Sequence, residues 1–115
     1  MQELEKLTYA FAIESSSLIK SLEKMEPEQF GVLQQYKGHA AGVSLTFMNA
    51  IEAEANEVFA NNLRSCLYHA QVALKQLDEL NTHEVAELVK QKQTLTEKCN
   101  LIITKLTAIT DKIIY

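Results

Sequence analysis

Residues 38–51 read GHAAGVSLTFMNAI, a run of 14 residues without Asp, Glu, Lys or Arg. No other stretch of the chain goes as long without a charge. A helix that is uncharged on all sides is buried on most sides. Gly38, Ala40, Ala41, Gly42, Ser44 and Ala50 are small enough to let neighbouring helices approach closely. The run therefore predicts a helix around which the rest of the chain packs.

Working outward, Pro27 is the only proline, and it suits the first turn of a helix, where a missing N–H costs nothing. A helix over residues 27–54 is expected, with two apolar stripes. One is Phe30, Leu33, Ala41, Leu45 and Met48; the other is Val32, Tyr36, Val43, Phe47 and Ala50. Two stripes imply two contact surfaces, one for the chain's own core and one for a partner. Tyr36, Ala40, Ala41, Val43, Phe47 and Ala50 are the expected oligomer interface.

Upstream, Leu4, Leu7, Phe11, Leu18, Leu22 and Met25 recur at helical spacing, broken by Glu14, and predict a helix over 2–24. Downstream, Asn56 as cap opens a helix over 57–80, with Phe59, Leu63, Cys66, Ala70, Ala73, Leu77 and Leu80 on one face. Asn81 and Glu84 resemble a capping box for a last helix over 82–114. Its heptad runs Val85, Leu88, Leu95, Cys99, Ile102, Leu106, Ile109 and Ile113, broken at Lys92. Four amphipathic helices with short connections make an all-α, up-down-up-down antiparallel four-helix bundle, a single domain over 1–115.

Composition narrows the function. The 115 residues carry 11 basic and 15 acidic side chains, a net charge of −4, and Arg64 is the only arginine. Nucleic-acid binders usually carry an Arg-rich basic stripe, so such binding is disfavoured. The longest uncharged run falls short of the ~20 residues a membrane span needs. The N-terminus, MQELEKL, lacks the apolar core of a signal peptide, and a cytoplasmic location is expected. Cys66 and Cys99 fall on apolar stripes and read as small buried hydrophobes.

No motif for catalysis emerges. His39, His69 and His83 lie on different elements without ligand spacing, and the Glu-x-x-His pattern of di-iron bundles is missing. No metal or cofactor is expected. Gln34, Lys37 and Gly38 echo the His-x-x-Lys-Gly of phosphotransfer bundles, but an amide stands where the phosphorylated imidazole belongs. At most this is a degenerate phosphotransfer module.

Taken together, these segments resemble the four-helix bundle family of 23S rRNA-intervening sequence proteins. Cys99 to Ile109, CNLIITKLTAI, follows a family pattern like C-x-x-L-x-x-x-L-T-A/S-I, with Ile102 for Leu. Phe59 to Ala70, FANNLRSCLYHA, follows one like F-I-x-K-L-x-x-A-L-x-E-A. Lys6 to Ala12 matches K-R/S-x-x-F-A loosely, with one extra residue. The departure falls on residues 38–51. The family has a motif like L-R-S-G-T-S-I-G-A-N-I-x-E-A, whose Arg is missing here, while Asn49, Glu52 and Ala53 match its N, E and A only in a shifted alignment. The resemblance implies a ring-shaped homo-oligomer, a pentamer; with no catalytic motif in the sequence, a non-enzymatic, self-associating scaffold or binding module is expected. A related bundle assists reverse transcriptases by binding nucleic acid, so an rRNA- or reverse-transcriptase-associated accessory protein is the alternative.

Overall fold

A computed structural model of the chain describes residues 1–25 and 27–113. Among these are four α-helices: α1 (Gln2–Glu23), α2 (Phe30–Ile51), α3 (Asn56–Glu79) and α4 (Ala86–Thr110). A 3-10 turn, Pro27–Gln29, precedes α2. Helix α1 packs on α2, α2 on α3, α3 on α4 and α4 back on α1, which closes an antiparallel four-helix bundle of 45 × 22 × 19 Å.

The helices arise where the apolar spacing places them, and their ends differ by a few residues for local reasons. Pro27 opens the 3-10 turn, and α2 follows three residues later. At its other end α2 stops at Ile51, with the Glu52 N–H bonding back to Met48 and Ala50. Ala55, not Asn56, holds the extended cap conformation before α3. The expected capping box before α4 does not form. The Asn81 side chain instead accepts the His83 N–H at 2.8 Å, and His83 and Glu84 turn through φ of 54° and 58°. Left-handed conformations at two non-glycine residues cost roughly 1–2 kcal/mol each, and they delay α4 to Ala86. Gln29 holds this connection from outside: its amide pairs with the Asn81 backbone, donating to the carbonyl at 3.1 Å and accepting the N–H at 2.9 Å. The two connections at this end of the bundle are thereby tied together. Helix α4 closes at Thr110; the rest of its expected span ends at Ile114, outside the described residues.

The core runs the length of the bundle. Phe11, Leu18, Tyr36, Phe47, Leu63 and Leu106 are among its large, fully buried side chains. Helix α1 buries Thr8, Ser15 and Ile19 as well as Leu4, Phe11, Leu18 and Leu22; Leu7 is half-buried, and Met25, expected inside, is exposed. Ser15 is in the core because Tyr36 is: the two hydroxyls are 2.7 Å apart, and the Tyr36 ring meets Phe11 edge-on at 6.4 Å. Both charged breaks in the heptads also find partners. Glu14 pairs with Lys98 across α1 and α4. The Lys92 ammonium donates to the carbonyls of Asp78 (3.0 Å) and Leu80 (2.9 Å), where the end of α3 leaves acceptors unsatisfied.

Candidate functional site

Five of the six positions expected at an oligomer interface, Tyr36, Ala40, Val43, Phe47 and Ala50, are fully buried in the chain's own core. Only Ala41 is exposed. Apart from Val32, which is exposed, and Leu33, which is buried, the two stripes of α2 have exchanged roles. Both are apolar, so periodicity ranks them equally, but the Tyr36 stripe carries the larger aromatic surface and a hydroxyl that Ser15 satisfies. The stripe assigned to the core instead faces outward, save Leu33: Phe30 is 58% exposed, Leu45 64% and Met48 36%.

This outward face of α2 has a heptad layout. Gly31, Gly38 and Leu45 form one line, and Gln34, Ala41 and Met48 the neighbouring one, the a/d pattern of a helix–helix seam. Nothing lies within 4 Å of where a side chain at Gly31 or Gly38 would begin. Between Gly38 and Ile51 the face carries no charge. Such a surface is costly to leave in water and easy for another helix to approach.

Gln34, where a phosphotransfer bundle would place its histidine, donates its amide to the Glu23 carboxylate at 2.8 Å. The amide there braces α1 against α2. Between α1 and α4 lies an open groove of about 430 Å³, lined by Glu14, Ser17, Glu87, Lys90, Gln91 and Thr94, with Leu95 at its base. Its charges are mixed, with the carboxylates of Glu14 and Glu87 and the ammonium of Lys90.

A second feature sits where α2 meets α3. The Nδ1 atoms of His39 and His69 are 3.0 Å apart, so one ring donates and the other accepts. Their ring centroids are 5.2 Å apart, and Tyr68 stands beside both at 6.2 and 5.8 Å. Gly42 makes this possible. A Cβ there would lie 2.9 Å from the His69 ring, too close for any ordinary contact, so bare backbone at this point seats the imidazole. Burial, and then the neighbouring His39, hold the His69 pKa below its usual 6.5. One turn along, Thr46 donates to the Gly42 carbonyl at 2.6 Å and the Cys66 thiol to that of Val43 at 3.2 Å.

His39 on α2, His69 on α3 and His83 on the α3–α4 connection lie on different elements, as expected, yet the first two touch. Thirty residues separate His39 from His69, and their meeting depends on the register of α2 against α3, which no local spacing encodes. The only hint in the sequence is a glycine on a helix that has no turn to make. Among the described residues no group of three or more His, Cys, Asp or Glu is arranged to hold a metal ion. Among them, too, no helix is long and apolar enough to cross a membrane. Comparison with protein-family models, with curated proteins and with solved structures found no match.

Proposed function

We propose that this protein is a non-enzymatic, self-associating helical bundle that acts as a scaffold or binding module, and that its copies meet through the outward face of α2. The observation that carries the reading is the apolar, uncharged heptad seam left uncovered along that face, with Leu45 64% exposed. A second copy suits it because the seam is self-complementary. In an antiparallel two-fold pairing centred between Ala41 and Gly42, Leu45 of each copy lies over Gly38 of the other, a knob above an open position. Gln34 then faces Asn49, and Lys37 faces Thr46, so no like charges are opposed despite the net charge of −4. A two-fold contact of this kind is isologous; a ring, as the likeness to 23S rRNA-intervening sequence proteins implies, sets the same face against a different surface of the next copy.

Light scattering after size exclusion tests this at about 100 µM, a level that populates interfaces of micromolar affinity. The expected mass is a multiple of 13.0 kDa. Leu45→Glu, which buries an unpaired charge only in the assembly, is expected to return the chain to monomer with its helicity intact. A wild-type mass of 13.0 kDa at that concentration overturns the proposal.

A further inference from the structure

We propose that His39 and His69 form a two-imidazole site for a transition-metal ion of tetragonal preference, Cu²⁺ above all, at the α2–α3 seam. The distance between the donors carries the inference. Metal–imidazole bonds are ~2.0–2.1 Å long. Two nitrogens 3.0 Å apart then subtend about 95° at a shared ion. That is the spacing of neighbouring ligands in a square-planar or octahedral sphere, the geometry of Cu²⁺ and Ni²⁺. Among divalent first-row ions Cu²⁺ also binds nitrogen donors most tightly.

The seat around the pair serves the same end. The Gly42 backbone admits the His69 ring and fixes its Nδ1 toward His39. Tyr68 flanks both rings. The shared Nδ1–H···Nδ1 contact means that only one proton stands between the donors, and on metal binding it moves to Nε2 of the same ring through solvent. No net proton is released from a neutral pair. Water fills the remaining coordination positions, since the described residues supply no third protein ligand of the usual kind. Bound there, the ion clasps α2 to α3, and it lies on the flank of α2 rather than on the outward seam.

The experiment titrates the full chain with Cu²⁺ and follows copper EPR and the imidazole C–H resonances by NMR. One Cu²⁺ per chain is expected at micromolar concentration, with an axial EPR spectrum split by nitrogen. The His39 and His69 resonances should broaden first, while His83, on the α3–α4 connection, stays sharp until excess metal. His39→Ala or His69→Ala is expected to weaken binding about tenfold or more, and His83→Ala to leave it unchanged. The resonances are read on the wild-type protein, so the test stands even if a variant fails to fold. No binding below ~1 mM, an affinity of only about 4 kcal/mol, overturns the proposal. So does broadening confined to His83, or full affinity in the His39→Ala, His69→Ala double variant.

Discussion

At the residue scale, two side-chain pairs, Ser15 with Tyr36 and His39 with His69, each predict an asymmetry. Ser15 and Tyr36 are both buried, and their hydroxyls bond each other across 2.7 Å. Burial keeps the Tyr36 hydroxyl far above its usual pKa of 10, so it remains protonated and neutral. Ser15→Ala strands that hydroxyl and should cost about 1–3 kcal/mol, whereas adding Tyr36→Phe should recover a large part of the loss. Urea unfolding of the two single variants and the double variant measures the coupling; additive losses would show that the hydroxyls act independently. The histidine pair gives a pH dependence whose sign follows from burial. The native state holds His69 below its usual 6.5, so under acid the unfolded chain binds more protons than the folded one. Stability is complete above that value and falls as pH drops through it, from about pH 7 towards 5. The urea midpoint of the wild type should decline over that range, and His69→Gln should flatten the decline. Gly42→Ala drives a methyl into the ring and should destabilise by about 1–3 kcal/mol, with loss of the His39 contact.

At the element scale, the helices differ in how much their sequences reveal. Helix α3 is legible throughout: Leu63, Cys66, Ala70, Ala73 and Leu77 form one stripe, and all are buried. A single apolar stripe leaves one way to face the core. Helix α2 offers two stripes, so the existence of the helix is legible and its rotation is not. What decides the rotation is tertiary: Tyr36 needs a partner for its hydroxyl, and Ser15 on another helix supplies it. The consequence is testable by the same substitution on opposite faces. Val43→Glu puts an unpaired charge into the core and should abolish folding, while Ala41→Glu on the exposed face should leave the circular dichroism intact and change only the mass in solution. The helix ends were the least legible part. Asn81 reads as a cap, yet its side chain closes a turn onto His83, and the carbonyls of Asp78 and Leu80 are met by Lys92 from the next helix. Lys92→Met keeps the stem and removes the donors. A loss of about 0.5–1.5 kcal/mol is expected, with amide exchange quickening first in the last turn of α3.

At the scale of the whole molecule, the bundle is a ring of four helices, each packed on the next and α4 on α1 around an apolar core, and its two thiols sit inside it. Cys66 bonds the Val43 carbonyl and Cys99 that of Ala70, each reaching across a helix interface. Burial pushes their pKa values up to about 11 and about 12, so near pH 8 almost no thiolate exists in the native state. Reaction with a disulfide reagent therefore requires opening. If the four helices unfold as one unit, both thiols should label together at the rate of global unfolding; earlier labelling of Cys66 alone would mean that the α2–α3 seam opens by itself. The same measurement weighs self-association. Copies that meet through α2 stabilise one another by mass action, so labelling should slow as protein concentration rises. In Leu45→Glu, which removes the seam while leaving the core untouched, the rate should become independent of concentration. A wild-type rate that is equally independent of concentration would place this bundle among self-sufficient monomers, and the outward face of α2 would then need a partner of a different kind.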